Sequence, residues 1–173
     1  RQQAAAQKIS SLWTSSQSVL AKSQVAEGGS VPFESKVTVA TGELLLLTVF
    51  PNGNHGADST LVDWTIRESS GQQRSWSVSD LIPNLLKGNS WLDKHDARWS
   101  FLETTSGPTF LTDKRDSIQG QSELKSWSLG SEPSVFVNAG SEDLRVWTVL
   151  PALTFFVHPG HNRPVTVART SPV

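Results

Sequence analysis

The sequence contains no cysteine. Disulfides, thiolate metal sites, a covalently attached c-type haem and cysteine nucleophiles are therefore excluded. The absence does not fix a compartment, because a reducing cytosol and a disulfide-poor periplasm both accept it. Methionine is missing too, and the chain opens at Arg1 and closes on Ser171-Pro172-Val173. That predicts a segment cut from a longer or processed protein, with any anchor or targeting signal outside it. Charge of one sign is also missing: 15 basic and 16 acidic residues leave a formal charge of −1. Such balance gives no electrostatic footprint for nucleic acid or an anionic membrane surface. No apolar run approaches the roughly 20 residues that span a bilayer, so no membrane span is expected here.

Tyrosine is absent as well, against seven Trp and seven Phe. Trp has a large apolar face and an N–H donor, which suits both core packing and stacking on sugars or peptides. In 173 residues the default is one domain with a core large enough to fold unaided.

The stretch Val37–Glu68 organises the rest. Leu44–Phe50 is an apolar run broken only by Thr48 and bounded by Gly42 and Pro51. Its length and its Thr-Val-Phe end favour a strand. Lacking alternation, it is expected in mid-sheet with both faces covered. Further on, Val62, Trp64 and Ile66 fall on one face, and Asp63, Thr65 and Arg67 on the other. Period-two alternation marks a strand with one wet face. Between the runs lies PNGNHGADST, residues 51 to 60, a turn-rich loop. The oxygens of Asn52, Asn54 and Asp58 could hold Ca²⁺. They could equally serve the loop's own backbone as Asx-turns, and the spacing matches no EF-hand. No other cofactor is expected.

Taken in order, residues 1 to 25 read as a helix rich in Ala, Gln and Lys, with Ile9, Leu12, Trp13 and Leu20 on one face. Gly28-Gly29 closes it. It would pack along a sheet edge or belong to a preceding domain. Phe33–Val39 begins the β region, with Val37 and Val39 alternating with Lys36 and Thr38. Ser75–Val78 is another, and Asp80–Gly88 a short helix that Asp80 could cap. Residues 89 to 98, NSWLDKHDAR, form a long polar loop, a type that is often functional. Strand patterns follow at Trp99–Glu103, Thr109–Leu111, Ser126–Leu129, Ser134–Val137, Leu144–Leu150, Leu153–Val157 and Val165–Ala168. In Leu144–Leu150, Val146 and Thr148 oppose Arg145, Trp147 and Val149. Short strands at about ten-residue spacing, without βαβ alternation, predict a mainly β fold. The expectation is an antiparallel, jelly-roll-like β-sandwich with an N-terminal helix and one short internal helix. The expected division is helix and linker over residues 1–28 and sandwich over residues 29–173.

Catalytic signatures are sparse. His158-Pro159-Gly160-His161 is a metal-type pair, but its Pro-Gly turns the rings apart and no acid lies nearby. The serine elbow G-x-S-x-G is missing, as are phosphate- and dinucleotide-binding loops. Glycosidase carboxylates would have to be drawn from Asp58, Asp63, Glu103, Asp113 and Asp116, which the sequence does not pair. Trp91 stands among hydrogen-bonding residues outside any alternating run. The candidate ligand-binding set is therefore Trp91, Asp93, His95 and Asp96, with Asn54, His55 and Asp58 as a second polar cluster. Trp91 could alternatively plug the open end of the sandwich.

Two stretches carry a family likeness. PNGNHGADSTLVDWTIRE and VWTVLPALTFFVHPGHNRPVTVARTSPV resemble segments of large planctomycete multi-domain proteins with cytochrome-c-like and conserved domains of unknown function. The family's haem motif C-x-x-C-H has no counterpart here. The resemblance implies an exported protein, periplasmic or at the cell surface, with neighbouring domains in the same chain and handling of complex polysaccharides. It carries over no catalytic residue. Together these readings point to a non-catalytic module whose ligand is a polysaccharide. The alternatives are a structural spacer or protein-docking domain and, behind them, a hydrolase. A hydrolase requires two carboxylates in a cleft, or a Ser-His pair within hydrogen-bond reach.

Overall fold

A computed structural model describes residues 2–53, 56, 58–93 and 95–172, with the side chains of residues 2–6 and 9 set aside. Among these the chain is mainly β and every ladder is antiparallel. Sheet A runs β1 (Leu44–Val49), β14 (Val165–Thr170), β6 (Arg98–Glu103), β5 (Trp91–Leu92), with β7 (Thr109–Phe110) also paired to β6. Sheet B runs β2 (Thr60–Leu61), β13 (Thr154–His158), β10 (Ser134–Asn138), β9 (Leu124–Ser128), β8 (Asp113–Arg115). Two small hairpins complete the set: β3 (Thr65–Arg67) with β4 (Ser75–Ser77), and β11 (Leu144–Arg145) with β12 (Val149–Leu150). No helix among the described residues is long and apolar enough to cross a membrane.

The two sheets pack face to face. Trp99, Phe101, Val165 and Val167 of sheet A share one core with Val135, Val137, Phe155 and Val157 of sheet B. Phe101 and Phe155 meet across it with ring centroids 6.1 Å apart. Alternation along the strands is the cause, since every second side chain of each strand points into the same layer. The alternating set behaves as expected: Val62 is buried and Trp64 and Ile66 half-buried, while Asp63, Thr65 and Arg67 are exposed. The chain nevertheless breaks there into β2 and β3 instead of one strand.

Five expectations need correction. Leu44–Phe50 is not a mid-sheet strand, because β1 lies at the edge of sheet A with β14 as its one neighbour. Its residues 45–49 are only half-buried. An unbroken apolar run reports side-chain chemistry, not how many neighbours the strand has. Helix α1 spans Gln2–Ser15, not residues 1 to 25. The hydroxyls of Thr14, Ser15 and Ser16 donate back to the carbonyls of Ser10, Leu12 and Trp13. Such side chains compete with the helical ladder, and the helix stops among them. Val37 and Val39 join no strand; residues 16–43 form no helix or strand, and all but Val39 are exposed. Leu12 on α1 is likewise 58% exposed.

The internal helix is a 3-10 segment, Val78–Lys87. Its cap is Ser77, not Asp80: Ser77 Oγ accepts the Ser79 N–H, and the Ser77 N–H donates to the Asp80 carboxylate. Val78, Leu81, Ile82 and Leu85 then seal one end of the core. The last correction is Leu144–Leu150, a hairpin and not one strand. Val146 N–H donates to Thr148 O across its turn.

Candidate functional site

Only part of the 89–98 stretch converges, and it does so on an internal partner. Asp93 Oδ1 accepts the N–H groups of His95 (2.8 Å) and Ala97 (3.1 Å). Its Oδ2 accepts the Trp99 indole N–H at 3.2 Å and lies 3.7 Å from Arg169 Nη2. The Arg169 guanidinium lies 3.9 Å from the ring centroid of Trp76 and 5.6 Å from that of Trp99. His95 meets Trp76 edge-on at 6.0 Å, and Trp64 meets Trp99 in the same way at 5.9 Å. Arg169 is only 1% exposed, and among the described residues its Nε and Nη2 have no hydrogen-bond partner. Burial pushes its guanidinium down to about 10; Asp93 opposes the fall and Arg74 adds to it. The folded chain thus releases this proton before the unfolded chain does. The burden of the buried cation therefore eases as pH rises through about 10.

Asp93 and His95 are therefore brought together, as internal supports of a sealed cation. The other two loop candidates go elsewhere. Trp91 sits in β5 opposite Trp99, half-buried against the core, with Lys87 Nζ 5.7 Å from its ring centroid. Asp96 is exposed on the turn at φ 60° and donates its N–H to Asp93 O.

In the second cluster, Asn54 and His55 lie outside the described residues. Asp58 Oδ2 accepts the Asn52 N–H at 2.9 Å, so this carboxylate serves its own loop. Asn52 Oδ1 accepts from Gln24 Nε2. Among the described residues no group of three or more His, Asp and Glu is placed to hold a metal ion. The glycosidase candidates are also locally engaged: Glu103 accepts the Thr105 N–H, and Asp113 accepts the Gly130 N–H.

The outer face of sheet B carries what the sequence reading passed over. Register aligns Leu61, Phe156, Phe136, Ser126 and Arg115 in one row across the sheet. Phe136 and Phe156 stack at 4.8 Å and 6°. The β11–β12 hairpin folds over this row, with Leu144 and Val146 half-buried and Leu150 buried in a second apolar cluster. Trp147, at the hairpin turn, meets Phe136 edge-on at 5.7 Å and remains 46% exposed. Asn138, fully buried, ties the hairpin down. Its Nδ2 donates to the carbonyls of Glu142, Leu150 and Pro151, and its Oδ1 accepts the Gly140 N–H. Gly140 is needed there, since a Cβ would stand 2.9 Å from Glu123 Cγ. A signal for Trp147 was present, because it shares a face with Arg145 and Val149, and all three are exposed.

One register step beyond Thr60 and Val157, Ser59 and His158 face each other across the β2–β13 pair. Ser59 Oγ lies 3.1 Å from His158 Nδ1, and His158 Nε2 lies 3.5 Å from Glu132 Oε2. His158 and Phe156 are two residues apart on β13, so they share the outer face of sheet B. His161 sits on the Gly160–Arg163 turn, away from the strand that carries His158. Comparison with known proteins adds no relative: no family model, no curated protein and no solved structure matches the chain.

Proposed function

We propose that the chain is a binding module for carbohydrate, within a larger exported protein. Its ligand surface is the outer face of sheet B and not the 89–98 loop. The observation that carries this reading is Trp147, half in solvent on a hairpin whose base is held by the buried Asn138. A fixed, exposed indole offers the C–H face of a sugar ring a flat apolar partner at little entropic cost. Arg145 and Thr148, exposed on the same hairpin, supply hydrogen-bond donors beside it. The oxygens of Asp93, by contrast, are occupied by backbone and indole N–H groups.

A glycan array and a pull-down on insoluble polysaccharide test the proposal, with Trp147→Ala and Trp91→Ala as paired variants. The parent is expected to be retained, Trp147→Ala to lose at least about tenfold, corresponding to a loss near 1.4 kcal/mol, and Trp91→Ala to bind as the parent does. No retention of any glycan defeats the reading. Loss with Trp91→Ala alone returns the site to the 89–98 loop.

A further inference from the structure

We infer that Ser59, His158 and Glu132 form a nucleophile, base and carboxylate set for hydrolysing carboxylic esters. The inference is independent of the carbohydrate reading. It begins with the tautomer of His158. A glutamate carboxylate only accepts, and it faces Nε2 at 3.5 Å. With the ring proton assigned to Nε2, on the side of the carboxylate, the Nδ1 lone pair faces Ser59 Oγ at 3.1 Å. The serine hydroxyl donates into that lone pair. This is the resting geometry of a serine activated by a neighbouring base. The two ring nitrogens exchange the roles they have in the familiar triad, and the proton relay is the same.

Three features favour chemistry over simple mutual satisfaction. First, the set is within reach of solvent: Ser59 is half-buried, and the His158 and Glu132 side chains are 18% and 26% exposed. Second, it is held by ordered elements. His158 ends β13, Ser59 immediately precedes β2, and Arg163 Nη1 donates to the Glu132 carbonyl at 2.9 Å. Third, Leu61 and Phe156 lie two residues along the same two strands on the same face, about 7 Å away. Leu61 is exposed there, giving a short acyl chain an apolar floor.

The reaction is a two-stage acyl transfer to water. Ser59 Oγ bonds to the ester carbonyl carbon as its proton passes to His158 Nδ1, and the carbonyl electron pair moves onto oxygen. That pair returns, the bond to the alcohol oxygen breaks, and the alcohol leaves with the proton from Nδ1. Water then attacks the acyl-serine, giving its proton to Nδ1. The carboxylic acid departs, and that proton restores the Ser59 hydroxyl. Glu132 is a positioning residue, holding the imidazole and offsetting the charge that develops on it.

The test uses the full chain with p-nitrophenyl acetate and butyrate, and separately a fluorophosphonate probe mapped by peptide mass. The probe is expected on Ser59, and Ser59→Ala should abolish both labelling and the acyl burst. His158→Gln should lower kcat by about 100-fold or more. Glu132→Gln should lower kcat about tenfold with KM unchanged, and Glu132→Asp should restore part of it. Thermal unfolding of Ser59→Ala at the parent temperature shows that the fold is intact. An unlabelled Ser59, or a Ser59→Ala protein that cleaves ester as fast as the parent, overturns the inference.

Discussion

Two tryptophan-bearing regions of this molecule look alike in composition and differ in what their polar atoms do. Around Arg169, the rings of Trp76 and Trp99 close over a cation, and Asp93 spends its oxygens on three N–H groups and that cation. On the outer face of sheet B, Trp147 rests edge-on against Phe136 and keeps nearly half its surface in solvent. In the first region the oxygens of Asp93 are all taken up, while among the described residues Arg169 Nε and Nη2 and Trp76 Nε1 have no hydrogen-bond partner; the second region leaves an aromatic surface unspent. A Trp near Asp and His is thus no sign of a ligand until the accounts of the neighbouring oxygens are known.

The sharpest way to break this comparison is at Asp93. Asp93→Ala leaves a buried cation without a counter-charge and three N–H donors without an acceptor, a loss of about 3–5 kcal/mol. Arg169→Met keeps the volume between the rings and leaves Asp93 with three N–H partners. Its cost should be below about 1.5 kcal/mol, the range of volume-conserving core exchanges. Urea denaturation of the two variants measures the gap, and equal losses would refute the asymmetry.

Next comes the second region. Asn138→Ala removes four hydrogen bonds and strands buried carbonyls, which should cost about 2–3 kcal/mol. Amide exchange over residues 144–150 should quicken more than over β10, showing that the hairpin loosens while the sheet stays. Uniform protection loss across both would mean that Asn138 holds the sheet and not the hairpin. The smallest effect is at Trp91. Lys87→Ala removes an ammonium 5.7 Å from its ring centroid, worth about 0.5 kcal/mol at such an exposed site. A loss several times larger would make that pair structural.

Much of the fold was legible from short strand-like runs set between turn residues. β6, β9, β10, β13 and β14 fall on expected strands, yet only β9 alternates in burial along its whole length, while β10, β13 and β14 are buried on consecutive residues because both of their faces are covered. Leu44–Phe50 was misplaced because apolar character does not tell an edge from a centre. The 144–150 hairpin was hidden because its turn has no Gly, Asn or Pro and is secured from outside by Asn138. Asp93 was legible as important but not in its role: an acid two and four residues before the amides it binds reads equally as a turn and as a ligand. Ser59 and His158 stand 99 residues apart, and only the β2–β13 register brings them together. No local pattern could have supplied that.

The position of β14 between β1 and β6 has a consequence for how the chain is made. During synthesis β8, β9 and β10 emerge as consecutive neighbours and can zip up at once. Sheet A must wait, because the strand that joins its early half to its middle is the last of its members to leave the ribosome. Until then β1 presents an unpaired leucine-rich edge. Pairings so distant in sequence form slowly, and a nascent chain in that interval is where aggregation or chaperone capture would begin.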